Sequence, residues 1–273
     1  MAADAPEADV HVDAALVARL VAAQHPSFTG PLELVANGWD NAIFRLGEEW
    51  AVRMPRRALG DRLVRSEQRW LPVIAGSLPD GVRAPVPVAA GRPGLGYPYA
   101  WSITPWFDGE PAASVPPAAR RPIAGALADV LVAIGRPAPA DAPENPYRGV
   151  PLAAPPWTGP PRWVHGDPHP GNLLFERPTD GDGWRLAAVL DLGDLTGGDP
   201  ATDLASAWLV FDPAGRAAFR DRIERSRPTD AANWARARGW ALAIGSAIVD
   251  AIGVDGGPIG RVGAHALEQV LLD

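Results

Sequence analysis

The sequence predicts an α+β protein built in two lobes: a small antiparallel-sheet lobe with one main helix, then a larger, mostly helical one. Three observations predict it. Short apolar runs separated by turn residues crowd the stretch from Leu32 to Phe107. Longer segments with apolar residues three and four apart dominate after Pro117. The turn-prone pair Asp108-Gly109 falls between the two regimes and marks a hinge. The expected division is therefore 1–107, with residues 1–12 a small, acidic, loose tail, and 108–273.

In chain order, Ala15, Leu16, Leu20 and Val21 space a short helix from Asp13 to Gln24, with Asp13 as its cap. Leu32 to Ala36, Ala42 to Leu46 and Trp50 to Met54 read as three strands, and Leu63 to Ile74 as a helix. Within the Pro/Gly-rich span Leu78 to Pro98, Val86 to Ala90 reads as a strand, and Tyr99 to Phe107 follows as another. Pro117 to Ile134 is a helix and Arg136 to Pro161 a proline-rich connection. Two short strands, Asn172 to Glu176 and Trp184 to Leu190, precede helices near Ala201 to Val210, Pro213 to Arg225, Asp230 to Ile252 and Pro258 to Leu272.

The chain of 273 residues is long enough to bury a full core, and 47% of it is hydrophobic. No apolar run is long enough to span a bilayer, and no basic-then-apolar leader follows Met1, so the cytoplasm is the expected compartment. A net charge of −7 argues against nucleic acid or an anionic membrane as partner and suits a cationic small molecule. Cysteine is absent, which excludes disulfides and thiolate chemistry. All 25 basic residues other than histidine are arginine. Any role that commonly falls to a lysine must here be taken by arginine or be absent. Of the 11 tryptophans, Trp70, Trp208 and Trp240 fall on apolar helix faces and read as core; Trp157 and Trp234 read as core too, with the wall of an acceptor pocket as the alternative.

One stretch carries chemistry: His165-Gly166-Asp167-Pro168-His169-Pro170-Gly171-Asn172, followed by Leu190-Asp191-Leu192-Gly193-Asp194. A carboxylate and a carboxamide five residues apart on one loop can face one reacting centre, Asp167 as base and Asn172 as metal ligand. Asp191, closing an apolar run, completes a pair of oxygen ligands for Mg²⁺, a hard cation that keeps several waters. Phosphoryl transfer needs this set, one group to orient the attacking hydroxyl and oxygens to hold divalent ions on nucleotide phosphates. Taken alone, Asp167 before Pro168 is a common turn aspartate, and it is the combination that points to a small-molecule kinase. His165 reads as a residue that shapes the loop, and His169 is ambiguous, a solvated ring being one reading.

The order His165-Gly166-Asp167, Asn172, Asp191-Leu192-Gly193 resembles the aminoglycoside phosphotransferase family, which shares the protein-kinase fold and carries an HGDxxxxN loop and a D-x-G metal motif. Gly38-Trp39-Asp40-Asn41, Val52-Arg53-Met54-Pro55-Arg56, Glu67 to Pro72, Gly198-Asp199-Pro200 and Asp203-Leu204-Ala205 resemble further landmarks, so the likeness runs from about Leu32 to Val210. It implies a protein-kinase-like fold and transfer from ATP or GTP, with Mg²⁺, to a small-molecule hydroxyl. It implies Asp167 as the catalytic aspartate, Asn172 and Asp191 as metal ligands, Asp203 as a brace for the loop, and Asp194 near metal water or substrate. Arg53 stands where kinase-fold enzymes carry a lysine, with Glu67 as its partner. The alternative for Arg53 is a surface arginine beside Arg56 and Arg57. The turn Gly38 to Asn41 corresponds to the phosphate-covering loop with one glycine in place of several. The segment Thr104 to Gly109 fits the hinge, with the Pro105 carbonyl and the Phe107 N–H against the purine.

The acceptor is less legible. An aminoglycoside polycation would want carboxylates, for which Asp194, Asp212, Asp230 and Glu144 are candidates. A macrolide would want apolar walls, and a sugar or amino-alcohol metabolite is a third class. A catalytically weak nucleotide-binding regulator is the non-enzymatic alternative.

Overall fold

The computed structural model describes residues 7–152, 156–179 and 183–273. Contacts divide the chain into two compact units, one formed by the chain up to Gly76 with Ala84–Asp108, the other by Ser77–Arg83 with Gly109–Asp273.

In the first unit, helix α1 (Ala14–Gln24) begins at Asp13, whose side chain accepts the Leu16 N–H at 2.7 Å. Strands β1 (Leu32–Asn37), β2 (Asn41–Leu46), β3 (Trp50–Pro55), β4 (Ala89–Gly91) and β5 (Trp101–Pro105) form an antiparallel sheet in the order β1-β2-β3-β5-β4. On β2 every second residue, Ala42, Phe44 and Leu46, is buried, the period of a half-covered strand. They meet Val17, Leu20 and Val21 of α1, with Val52, Met54, Trp101 and Ile103, in one apolar cluster. Helix α2 (Ala58–Ala75) buries Gly60, Val64, Glu67, Leu71 and Ile74, a stripe at three- and four-residue spacing with a carboxylate at its centre.

Two expectations are corrected here. Helix α2 starts at Ala58, five residues before the expected Leu63. Its first turn contributes Gly60 to the buried stripe and leaves Leu59 exposed, so no apolar periodicity announced it. The strand expected from Val86 is confined to Ala89–Gly91. Pro85 and Pro87 have no N–H to give to a ladder, and pairing begins with the Val88 N–H on the Ile103 carbonyl at 2.8 Å.

The second unit opens with Ser77–Arg83, where the Arg83 N–H donates to the Ala187 carbonyl and the Val189 N–H to the Arg83 carbonyl, each at 2.9 Å. Strands β6 (Glu110–Pro111), β8 (Leu173–Glu176) and β9 (Arg185–Val189) form a small antiparallel sheet. β7 (Arg162–Val164) pairs with β10 (Thr196–Gly198). β6, β7 and β10 are two or three residues long and gave no sequence signal. The helices are α3 (Ala124–Ile134), α4 (Ala201–Leu204), α5 (Ser206–Leu209), α6 (Pro213–Ser226), α7 (Ala231–Ile252) and α8 (Gly257–Leu271). α3 packs on α6, α4 on α7, and α7 on α8.

The helix expected from Pro117 is a 3₁₀ segment as far as Ile123 and α-helical only from Ala124. Pro122 supplies no N–H to an α ladder at that point. The helix expected over Ala201 to Val210 is interrupted at Ala205, where Ala205 N–H bonds Thr202 and Trp208 N–H bonds Ala205, three residues back in each case. Arg120 is buried and donates to the carbonyls of Val115 (2.7 Å) and Val210 (3.0 Å); burial lowers its pKa to about 10. Trp208, Trp234 and Trp240 are buried, whereas Trp70 is half-buried with the Arg69 guanidinium 4.4 Å over its ring. No helix of the described residues is long and apolar enough to cross a membrane.

Close packing gives a direct test. A Cβ on Gly91 would lie 1.9 Å from the Trp101 ring. Gly91→Ala is expected to cost about 1–3 kcal/mol, read as a lower midpoint of urea unfolding.

Candidate active site

β7 leads directly into His165, and the loop that follows is set by one carboxylate. Asp203, buried on α4, accepts the His165 N–H at 2.8 Å and the Gly166 N–H at 2.9 Å on its two oxygens. Gly166 has φ +93° and a Cβ there would meet the Asp194 carbonyl oxygen at 2.6 Å, so only glycine fits. His165 is fully buried. Its Nδ1 accepts the Asp167 N–H at 3.3 Å and its Nε2 faces the Leu190 carbonyl at 3.0 Å, which assigns the ring proton to Nε2. Ser206 Oγ donates to the Pro168 carbonyl at 2.9 Å and ties the loop to α5.

The Asp167 carboxylate is contacted from both sides. Arg148 Nη2 lies 3.6 Å from Oδ1, and His169 Nε2 lies 3.4 Å from Oδ2. Asn172 Nδ2 donates to the Asp167 carbonyl at 2.9 Å and lies 3.4 Å from Oδ2. Burial pushes the Asp167 carboxyl upward, but the charges of His169 and Arg148 outweigh it and hold the group well below the usual carboxylate range. His169, ambiguous in the sequence with a solvated ring as one reading, is mostly buried, with Nδ1 accepting the Gly171 N–H at 2.9 Å. Burial disfavours its charged ring, and the Asp167 and Asp191 carboxylates more than reverse that.

Asn172 and Asp191 come together through the small sheet. The Leu190 N–H donates to the Asn172 carbonyl at 2.8 Å, and Asp191 follows at once in the left-handed region, φ +52° and ψ +61°, with its side chain exposed. Aspartate tolerates that conformation better than most residues, though at some strain. With the Asn172 amide nitrogen committed to Asp167, its Oδ1 is the free end of the carboxamide. The two side chains stand on segments that are hydrogen-bonded to each other, and their hard oxygens are of the kind that suits a cation retaining waters. No group of three or more His, Cys, Asp or Glu side chains suited to a metal occurs among the described residues. Asp194 is engaged by protein, with Asn145 Nδ2 at 2.8 Å and Arg148 Nε at 3.7 Å. Burial raises its pKa, partly offset by Arg148.

In the first unit, Arg53 is not a surface arginine. Its side chain is 13% exposed and its Nε lies 3.2 Å from Oε2 of Glu67, itself 4% exposed. Arg56 and Arg57 do something else: Arg56 Nη1 donates to the Gly38 carbonyl at 2.6 Å, and Arg57 pairs with Asp40, both clamping the turn Gly38–Asn41. Asn41 opens β2, and its Oδ1 is buried with no hydrogen-bond partner among the described residues. Pro105 closes β5 opposite Trp50, and the Trp106 N–H, one residue past the strand, is taken by the Glu49 carbonyl at 2.7 Å.

A sequence model described as the phosphotransferase enzyme family matches residues 31–153 and 147–240. The chain belongs to that family. No curated protein matches it. Among solved structures, the phosphotransferase is similar to the GDP complex of aminoglycoside 2'-phosphotransferase-IIIa, with 16% identity over 95% of this chain and 98% of that one and a TM-score of 0.67. It is also similar to APH(2")-IIa in a streptomycin–ATP ternary complex (18% identity, 88% and 90% covered, TM-score 0.58). A third similar structure is macrolide 2'-phosphotransferase MphH from Brachybacterium faecium (20%, 92% and 97%, 0.57). These likenesses establish the fold, which is the kinase-like α+β architecture expected from the sequence.

Two neighbours of the loop escaped the sequence reading. Arg148 and Asn145 lie in the proline-rich connection, where nothing in the spacing distinguishes them. Asp212 and Asp230, read as acceptor carboxylates, instead cap α6 and α7 by accepting the Gly215 and Asn233 N–H groups at 3.0 and 2.7 Å. For the loop itself, Asp203→Asn would turn one acceptor into a donor facing a buried N–H. The expected loss is about 1–3 kcal/mol in urea unfolding, with the loop the first part to lose amide protection in hydrogen exchange.

Proposed function

We propose that the phosphotransferase moves the γ-phosphoryl group of ATP or GTP to a hydroxyl of a small molecule. The N-terminal unit would hold the nucleotide, through Arg53 braced by Glu67, the turn at Asn41, and the Pro105 carbonyl and Phe107 N–H against the base. The second unit would carry out transfer and bind the acceptor. The observation that carries this reading is the Asp167 loop: one carboxylate kept ionised on a loop fixed by Asp203, near two hard side-chain oxygens, Asn172 Oδ1 and the Asp191 carboxylate.

Asp167 accepts a hydrogen bond from the acceptor hydroxyl and aims its oxygen at the γ-phosphorus. The new O–P bond forms as the bond to the β-phosphate oxygen breaks, and the nucleoside diphosphate leaves. A carboxylate held below its usual range is a weak base, so Asp167 orients the hydroxyl and takes its proton late, as suits a loose transition state. Asn172 and Asp191 would hold Mg²⁺, which when bound neutralises charge on the phosphates. Arg53 is permanently charged and suited to two-pronged phosphate contact.

For the acceptor we infer a hydroxylated antibiotic in the cytoplasm. Net charge −7 and the aminoglycoside phosphotransferases among the similar structures favour an aminoglycoside. A macrolide is favoured by the commitment of Asp194, Asp212 and Asp230 to protein partners.

A nucleotide-consumption screen over aminoglycosides, macrolides, sugars and amino alcohols, with ATP and GTP in parallel, tests donor and acceptor together; binding without consumption would instead indicate a regulator. Asp167→Ala is expected to lower kcat by about 10³-fold or more while nucleotide Kd stays within about twofold. Asp191→Asn should raise the Mg²⁺ concentration needed for half-maximal nucleotide binding, and Arg53→Ala should raise the nucleotide KM by about tenfold or more. An unchanged Mg²⁺ titration or nucleotide KM would remove the corresponding assignment.

A further inference from the structure

Arg148 is the cation beside Asp167 that the transfer scheme leaves without a task. It stands on a short strap, Asn145 to Gly149, in the proline-rich connection, and the strap is fastened at both ends. Asn145 Nδ2 donates to Asp194 Oδ1 at 2.8 Å while its Oδ1 accepts the Tyr147 N–H at 2.9 Å. The Gly149 N–H donates to Thr202 Oγ1 at 3.1 Å, and the Gly149 carbonyl accepts the Asp199 N–H at 2.8 Å. Gly149 has φ +69°, and a Cβ there would press on Thr196 at 3.0 Å, so the strap ends in a turn only glycine makes at such close quarters. Asp199 is in turn paired with Arg236 at 2.7 Å, both buried, which roots this seam in α7.

The strap delivers the guanidinium to two acids. Nη2 is 3.6 Å from Asp167 Oδ1 and Nε is 3.7 Å from Asp194 Oδ2, with 24% of the side chain exposed. Neither contact is short enough for a hydrogen bond, and Nε is buried without an acceptor among the described residues. Among the described residues, only the Tyr147 carbonyl, at 3.2 Å from Nη1, takes a directional bond from it. The guanidinium is thus placed by the strap and acts on the acids through charge. The two oxygens of Asp167 are divided between opposite neighbours, Oδ1 facing Arg148 and Oδ2 facing His169 and Asn172.

We infer that Arg148 is a positioning residue for phosphoryl transfer: its charge holds Asp194 and Asp167 close despite their mutual repulsion and fixes the plane in which Asp167 presents an oxygen to the acceptor hydroxyl. It rests on the reading of Asp167 as the orienting group. In this role its partners are the acids and the strap, and its removal loosens the aim of Asp167 while leaving nucleotide binding alone.

The test is steady-state kinetics of the full chain with the best acceptor from the screen, for wild type, Asp167→Ala, Arg148→Gln and Arg148→Lys, with a urea unfolding midpoint for each. Arg148→Gln should lower kcat by about tenfold or more with nucleotide KM within about twofold, and Arg148→Lys should recover kcat to within about threefold of wild type. The inference is overturned if Arg148→Gln keeps wild-type kcat, if it raises nucleotide KM in proportion to its loss of rate, or if Arg148→Lys is as slow as Arg148→Gln at wild-type stability. Should Arg148→Gln fail to fold, Arg148→Lys carries the test alone, recovery of kcat supporting the inference and a loss of about tenfold or more at wild-type stability ending it. Wild-type turnover in Asp167→Ala would instead sink the reading of Asp167. Loss of activity in Asp167→Ala with full activity in Arg148→Gln sinks only the role of Arg148.

Discussion

The loop that carries Asp167 depends on the Asp203 carboxylate receiving two consecutive backbone N–H groups. A loop cannot satisfy its own buried donors, and each left bare in the interior is costly. By giving one oxygen to His165 and the other to Gly166, Asp203 fixes the peptide plane between those two residues, one residue ahead of Asp167. Burial raises the Asp203 pKa, opposed by His165 and by these same two bonds. The rest of the loop follows from that plane. His165 turns inward to bridge Asp167 and Leu190, Gly166 passes the Asp194 backbone where a side chain would collide, and Asp167 emerges between His169 and Arg148.

Charge is distributed so that acids crowd one place without destabilising it. Asp167 and Asp191 both raise the cost of ionising Asp194, and both favour the charged ring of His169. His169 and Arg148 offset this from the two sides. The consequence is a graded set: Asp167 held low, Asp194 held high, Asp191 exposed to solvent. A single fold thereby gives chemically identical side chains three different characters, the pattern by which sites assign distinct work to one residue type.

Much of this was legible beforehand, and the failures have physical causes. Period-two burial on β2 and the apolar spacing of α1, α6 and α7 are local properties, and the elements formed where the spacing placed them. The start of α2 was invisible because its first buried residue is a glycine. The strands β7 and β10 are too short for alternation to register, though β7 runs directly into the Asp167 loop. The motif residues Asp167, Asn172 and Asp191 could be read because their spacing is itself the signal. Arg148 and Asn145 could not, since they reach the loop from 19 and 22 positions before Asp167 along an irregular segment, and proximity of that kind is decided by tertiary packing. Asp212 and Asp230 show the opposite failure. In the sequence they are candidate carboxylates for a cationic acceptor, but each stands one residue before a helix and its carboxylate caps the helix end.

The Arg53–Glu67 pair has a practical corollary. A lysine in that position would lose its proton in alkaline solution and would offer a primary amine to acylating reagents; a guanidinium does neither under ordinary conditions. Since no lysine occurs anywhere in the sequence, amine-directed nucleotide affinity labels would find no side chain to modify, and covalent probes for this enzyme would have to be designed around guanidinium or carboxylate chemistry.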